Sequence, residues 1–198
     1  MKKKNSIILI VIIVLFAILL VGGNILYQKL SKQVEEQDQQ KLQEEQEEQE
    51  TSTTTEEELA MDFTVYGKDG EEIKLSHFQG KKPVVVNFWA SWCDSCKEEM
   101  PYFQEAIEQY GDEVEFLMVN LTDGMRETVE KADKFIKKSG YDMDIVYDLD
   151  LDATYTYYIS SIPRTLFINR DGTLYYDYMG VISKEFLNSS IEKILEQS

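Results

Sequence analysis

The sequence predicts an α/β domain built on a mixed central sheet that is flanked by helices. Three observations support this prediction. Short apolar runs, typical of buried strands, alternate with segments whose apolar residues recur at helical spacing. The longest such run in this part of the chain, residues 83–89 (PVVVNFW), suits a central strand buried on both faces. The turn sequence Asp171-Gly172 joins two further strands into a closing hairpin, so the sheet cannot be purely parallel.

The first elements of this domain are a hairpin, the central strand and a helix. Residues 63–66 and 71–75 flank the turn sequence Lys68-Asp69-Gly70, which predicts an N-terminal β-hairpin extension. After the central strand, apolar residues between 96 and 110 recur at helical spacing. Pro101 lies inside this helix and removes one backbone hydrogen bond, so we expect a kink there.

Strands and helices continue to alternate through the rest of the domain. The remaining strands are expected at residues 114–120, 145–147, 165–169 and 174–178. The remaining helices are expected at residues 128–139, at residues 153–158 with Asp152 as the cap, and after Ser183, which has the N-cap residue type.

The N-terminal residues 1–28 have the pattern of a membrane anchor. Three lysines, Lys2 to Lys4, precede an apolar stretch over residues 7–27. As a helix this stretch is about 31 Å long, which matches a hydrocarbon core of roughly 30 Å. The positive-inside rule then places the rest of the chain on the extracytoplasmic side of the cell membrane as a single-pass protein. A cleaved signal peptide is the alternative, but no A-x-A site follows the stretch.

Residues 29–58 form a different kind of segment, rich in Glu, Gln and Thr. Such a composition cannot bury an apolar face, so we interpret it as a polar stalk that holds the domain at residues 59–198 away from the membrane. The whole chain carries 20 basic and 37 acidic residues, a net charge of -17. This balance argues against nucleic acid as a partner, because its phosphates require Lys and Arg.

Cysteine usage indicates the chemistry. The chain has two cysteines, Cys93 and Cys96, and one histidine, His77, which are too few for a disulfide scaffold or a Cys/His zinc site, so no metal is expected. The C-x-x-C pair directly follows a strand and opens a helix, where amide groups and the helix dipole stabilise a thiolate. We expect Cys93 to be exposed and to attack, and Cys96 to be sheltered and to resolve the mixed disulfide.

The segment at residues 88–101, FWASWCDSCKEEMP, resembles the active site of the thioredoxin-like superfamily. Its ending Glu99-Met100-Pro101 is most similar to the TlpA/ResA-type membrane-anchored thiol-disulfide oxidoreductases. The resemblance extends over the domain to Ser161-Ile162-Pro163-Arg164-Thr165, and the stalk lies outside it. It implies a thioredoxin-like fold, and a protein-disulfide reductase that acts on protein substrates such as an apocytochrome c or an oxidised repair enzyme.

The resemblance also assigns roles to single residues. Pro163 matches the family's cis-proline, which leaves the backbone of Ile162 free to pair with an extended substrate. Trp92 belongs to the same expected substrate-binding set. Glu99 matches an acidic residue near the redox pair; the spacing agrees, because a residue three positions after Cys96 shares its helical side. A partly buried carboxylate there could move protons, whereas a water-facing Glu99 would have no such role.

The sequence also bears on the direction of electron flow and on the electron donor. Asp94, between the cysteines, is an anion that opposes a thiolate, which favours a reductant over an oxidant. No G-x-G-x-x-G is present, so no cofactor is expected and electrons must come from a membrane thiol carrier similar to CcdA or DsbD. Two alternatives remain open: a disulfide-forming oxidase of the same fold, and a redox-inactive domain that only binds partners.

Overall fold

The computed structural model describes residues 58–197. The predicted membrane anchor and almost all of the predicted stalk lie outside these residues, so those two predictions stay predictions. Within the described part, no helix has both the length and the apolar character needed to cross a membrane.

Seven strands and four α-helices make up the described part. The strands are β1 (Thr64–Tyr66), β2 (Glu72–Lys74), β3 (Val84–Trp89), β4 (Glu115–Asn120), β5 (Ile145–Tyr147), β6 (Arg164–Ile168) and β7 (Leu174–Met179). The helices are α1 (Asp94–Tyr110), α2 (Val129–Ser139), α3 (Asp152–Thr156) and α4 (Lys184–Glu196), with a 3-10 turn at Leu75–His77.

The strands form one mixed sheet in the order β2-β1-β5-β4-β3-β6-β7. β3 pairs in parallel with β4, and β4 pairs in parallel with β5. β6 runs antiparallel to β3, and β7 antiparallel to β6. At the other side of the sheet β1 pairs antiparallel with both β2 and β5. The predicted α/β class and mixed sheet are confirmed.

The sheet separates two apolar cores, and β3 contributes to both because side chains alternate along a strand. Val85 and Trp89 face the core formed with α1 and α4, whereas Val84, Val86 and Phe88 face the core formed with α3 and the segment before β1. All six residues of β3 are buried. This burial explains why the strand reads as a continuous apolar run.

Local sequence signals fix where the helices begin and end. The Thr128 hydroxyl accepts the Lys131 amide at the start of α2, and Gly140 ends that helix with a left-handed backbone at φ 72°. Ser183 caps α4 by accepting the Phe186 amide, as the sequence predicts. Helix α1 continues through Pro101 as a single element.

One capping prediction is wrong. Asp152 is the first residue of α3, and its carboxylate accepts the Thr64 amide rather than an amide of its own helix. The buried Asp148 takes the capping role instead, because its carboxylate accepts the amides of Ala153 and Thr154. The sequence pattern does not separate these two aspartates, since the chain bends back between them.

The topology brings three segments to one edge of the sheet. β3 ends at this edge with Trp89, and its antiparallel neighbour β6 begins there with Arg164. Met179 at the end of β7 pairs with Arg164 and reaches the same edge. The C-x-x-C segment, the Pro163 loop and the loop before α4 are therefore neighbours in space although they are far apart in sequence.

Candidate active site

The two cysteines form a disulfide at the start of α1. Cys93 is the N-cap residue of this helix, and its sulfur accepts the Cys96 amide at 3.1 Å. A turn closed by the Cys93 amide and the Ala90 carbonyl oxygen, 3.1 Å apart, delivers the residue from β3 to the helix. An amide of the first helical turn is thus directed at the sulfur that carries the negative charge after reduction.

The two sulfurs differ in access, but less than the sequence suggests. Cys93 is 5% exposed and Cys96 is 1% exposed. The order agrees with Cys93 as the attacking thiol, whereas the expectation that Cys93 is openly exposed is wrong. The Ile162 carbonyl oxygen lies against its sulfur, and this contact with a distant segment could not be deduced from the local sequence.

The Pro163 loop faces the disulfide. The peptide bond between Ile162 and Pro163 is cis, and the Ile162 carbonyl oxygen lies 3.8 Å from the Cys93 sulfur. The Pro163 carbonyl oxygen accepts the Gly180 amide at 2.9 Å, which ties the loop to the segment after β7. The structure therefore brings Ile162 and Pro163 to the redox pair, as the resemblance implies.

Glu99 is fully buried, one helical turn after Cys96. One carboxylate oxygen accepts the Asn87 side-chain amide and the other accepts the Ile182 amide, both at 2.8 Å. Asn87 in turn donates to the Thr165 hydroxyl, two residues beyond Pro163. Burial raises the pKa of Glu99 to about 7, although both amide donors lower it.

This environment makes Glu99 a group that exchanges a proton near neutral pH. The water-facing alternative is wrong, because the side chain has no exposed surface, and the neighbouring Glu98 is the residue that faces solvent. Burial also goes further than the partly buried position that the helical spacing suggested.

Trp92 is 37% exposed and contacts a residue from another loop. The Arg126 guanidinium carbon lies 3.4 Å from the centre of the Trp92 ring, within cation–π range. The structure therefore places Trp92 at the rim of the redox pair, with a cation above its ring.

A second buried carboxylate at this site has no counterpart in the sequence prediction. Glu127 is fully buried, and its oxygens accept the Ser91 amide at 2.8 Å, the Ser91 hydroxyl at 2.7 Å and the Asn120 side-chain amide at 2.9 Å. No spacing rule connects Glu127 with Ser91, because 36 residues separate them. The only hint was a polar residue, Asn120, at the end of a buried strand.

Asp94 opposes the Cys93 thiolate less than its place between the cysteines predicts. Its carboxylate lies 2.8 Å from the Lys97 Nζ, and its side chain is 92% exposed. The hydrogen bond and the charge of Lys97 lower the pKa of Asp94, so the aspartate is ionised but neutralised by its neighbour. Solvent screens what remains of its field at Cys93.

These groups are sufficient for thiol-disulfide exchange. The pair can receive two electrons, the helix start can stabilise the Cys93 thiolate, and Glu99, one helical turn after Cys96, can hold a proton near neutral pH. Within residues 58–197 no group of three or more His, Cys, Asp or Glu side chains is arranged to hold a metal ion. Fold and site together define a thioredoxin-like thiol-disulfide oxidoreductase.

Comparison with known proteins leads to the same class. The AhpC/TSA family matches residues 57–177. The thiol-disulfide oxidoreductase ResA of Geobacillus kaustophilus strain HTA426 is 32% identical over 136 residues, which cover 68% of this chain and 75% of that protein. The chain therefore belongs to the AhpC/TSA family, and the second match places it among the ResA thiol-disulfide oxidoreductases.

Two solved structures are similar in fold. StoA from Bacillus subtilis is 27% identical, with a TM-score of 0.57 over 66% of this chain and 96% of that one. The exposed lipoprotein thioredoxin of Streptococcus pneumoniae strain TIGR4 is 29% identical, with a TM-score of 0.56 over 67% of this chain and 99% of that one.

Proposed function

We propose that this enzyme is tethered to the cell membrane by residues 1–28 and reduces disulfides in exported proteins on the extracytoplasmic side. The observation that carries the proposal is the placement of the Cys93–Cys96 pair at a helix start beside the buried Glu99. The lysines and apolar stretch at the N-terminus support the tether and its direction.

The proposed reaction has two exchange steps. The Cys93 thiolate attacks a substrate disulfide, so that a Cys93–substrate disulfide forms and the substrate's other sulfur leaves with the electron pair. Cys96 then loses its proton and attacks the Cys93 sulfur, which forms the enzyme disulfide and releases the second substrate thiolate. Glu99 accepts the Cys96 proton in this second step, since its pKa near 7 suits proton transfer at neutral pH.

Substrate binding is assigned to the Pro163 loop and Trp92. The Ile162 amide makes no hydrogen bond to the rest of residues 58–197, so an extended substrate strand can pair with it. The exposed face of Trp92 borders the same site. The site suits a substrate that carries its disulfide in an accessible, extended segment, and we propose an apocytochrome c or an oxidised repair enzyme as such a substrate.

Two electrons must return to the oxidised enzyme after each turnover. We propose a membrane dithiol carrier similar to CcdA or DsbD as their source. A thiol of this carrier would attack the Cys93–Cys96 disulfide by the reverse of the steps above, and the carrier would be left as a disulfide.

Turnover and direction are tested on the purified full-length protein. With dithiothreitol as electron donor it should reduce insulin, and a Cys93→Ser, Cys96→Ser double variant is the control. Equilibration with glutathione and dithiothreitol buffers gives the potential of the pair. We expect a value nearer thioredoxin, about -270 mV, than DsbA, about -120 mV. A value above about -150 mV would favour the oxidase, and no insulin reduction would favour a binding domain.

Topology is tested in cells. Protease added to intact protoplasts should remove the domain at residues 59–198, while a cytoplasmic marker protein stays intact. Survival of the domain under these conditions, with digestion after lysis, would reverse the proposed orientation.

A further inference from the structure

The loop between β4 and α2, residues 121–128, has a defined shape. The Asp123 carboxylate accepts the amides of Met125 at 2.8 Å and Glu127 at 2.9 Å. The Gly124 amide closes the loop onto the Glu127 carbonyl oxygen at 2.9 Å. The two amides lower the pKa of Asp123, so the anion that organises the loop persists through neutral pH. Lys131 also binds the loop through the Met125 and Arg126 carbonyl oxygens.

Two consecutive residues of this loop hold two consecutive residues of the active-site segment. Glu127 accepts both polar hydrogens of Ser91, and Arg126 covers the ring of Trp92. Ser91 and Trp92 are the two residues directly before Cys93, and they form the middle of the turn that the Cys93 amide closes. The positions of Ser91 and Trp92 therefore help to set the position of Cys93.

We propose that Arg126 and Glu127 are positioning residues, which hold the Cys93 sulfur at the start of α1 in the orientation for attack. The proposal rests on the proposed function in one respect, because it takes Cys93 as the nucleophile. Fixing a nucleophile before the encounter lowers the entropic cost of reaching the transition state. Holding its sulfur against the helix amides also keeps the thiolate stabilised.

Glutamine at position 127 separates positioning from charge. All three partners of Glu127 are donors: the Ser91 amide, the Ser91 hydroxyl and the Asn120 amide. A glutamine has the same shape, but its amide nitrogen would face one of these donors and the contact would be lost. Loss of a negative charge alone would instead stabilise the Cys93 thiolate and speed its reactions. A positioning role therefore predicts slower reactions of Cys93 in Glu127→Gln, whereas a charge effect alone predicts faster ones.

The experiment measures the rate at which iodoacetamide alkylates Cys93 in the reduced full-length protein between pH 5 and 9. All variants carry Cys96→Ser in this assay, so that Cys93 is the only thiol. Insulin turnover is measured in the two-cysteine form. We expect Glu127→Gln to slow alkylation at neutral pH and to lower kcat about tenfold or more, with little change in KM. Arg126→Gln should lower both rates about two- to five-fold, the worth of one exposed cation–π contact, and Arg126→Lys should restore part of the loss.

Matched controls remove the same charges elsewhere. Arg170→Gln deletes an exposed guanidinium, and Glu115→Gln deletes a half-buried carboxylate at the other end of the sheet. Both should react as wild type. All rates are corrected for the folded fraction measured by circular dichroism. If Glu127→Gln fails to fold, Ser91→Ala and Arg126→Gln test the same contacts.

The outcomes are distinct. Alkylation by folded variants at the wild-type rate, or faster than wild type for Glu127→Gln, would overturn the positioning role. Slower alkylation by the variants, with controls unaffected, supports it. If the wild-type protein does not reduce insulin, the proposed function fails, whereas the alkylation ratios still decide the role of residues 126 and 127.

Discussion

Two fully buried glutamates flank the redox pair, and they are held in different ways. Glu127 contacts the segment directly before Cys93, and its two oxygens accept three hydrogen bonds. Glu99 follows the pair along α1, and each of its two oxygens accepts one hydrogen bond. At Glu99 burial outweighs these two hydrogen bonds and raises the pKa to about 7. Residue type and burial are the same, so the partners define the two roles. Glu127 is an anchor because it holds Ser91, and Glu99, with its raised pKa, is a proton carrier.

Removing the attacking sulfur should have the largest effect, because both exchange steps of the proposed reaction pass through Cys93. Cys93→Ser should lower insulin turnover at least about a thousand-fold, since the nucleophile is gone. Cys96→Ser should leave the first step intact and trap partner proteins as mixed disulfides on Cys93. These adducts are detected by non-reducing electrophoresis. Trapping by Cys93→Ser instead would exchange the two roles.

The two glutamates should also differ in how much they contribute to the free energy of unfolding. Glu127→Leu leaves three donors without an acceptor, so we expect a loss of about 3 kcal/mol in the free energy of unfolding. Glu99→Leu leaves two donors unpaired but also removes a desolvated carboxylate, so its loss should be smaller. Urea unfolding at pH 7 measures both. Equal losses would remove the distinction between anchor and proton carrier.

The pH dependence of stability should depend on Glu99. Its unfolded carboxyl releases a proton near pH 4.5, whereas the folded one keeps its proton up to about pH 7. The folded state therefore binds more protons in this window, and stability falls as pH rises through it, by at most about 3 kcal/mol. Glu99→Gln should abolish this component, with Glu98→Gln as the exposed control. Urea unfolding from pH 4.5 to 8 measures it, and parallel curves for wild type and Glu99→Gln would contradict the assignment.

Asp94 should show the smallest effect. Its carboxylate is exposed and paired with Lys97, so its field at Cys93 is weak. We expect Asp94→Asn to raise the reduction potential by less than about 20 mV, which corresponds to under about 1 kcal/mol. A shift several times larger would show that the unpaired charge reaches the sulfur after all.

The sequence predicts well what depends on local pattern. The buried strand β3 reads as an apolar run, Ser183 has a capping residue type, and Glu99 shares a helical side with Cys96. Each of these depends on spacings of a few residues. The C-x-x-C pair at a helix start belongs to the same kind of signal, which is why the class of chemistry could be inferred before the structure.

The sequence does not predict contacts between distant segments. Glu127 meets Ser91, and Arg126 meets Trp92, only because β3 and β4 pair in register and end at the same edge of the sheet. The low exposure of Cys93 also involves a distant segment, because Ile162 lies against its sulfur. The capping role of Asp148 also depends on a chain reversal at Leu151, which has a left-handed backbone. Leucine is not a residue type that is typical of such a turn.

The most direct test of the account is the titration of Glu99 itself. Side-chain carboxyl resonances of the oxidised full-length protein, labelled with carbon-13 in glutamate, are followed from pH 3 to 9. The Glu99 resonance is assigned by its loss in Glu99→Gln. We expect a midpoint near 7, because the side chain is buried with two donors. A midpoint below about 5, the range of an ordinary glutamate, would contradict it.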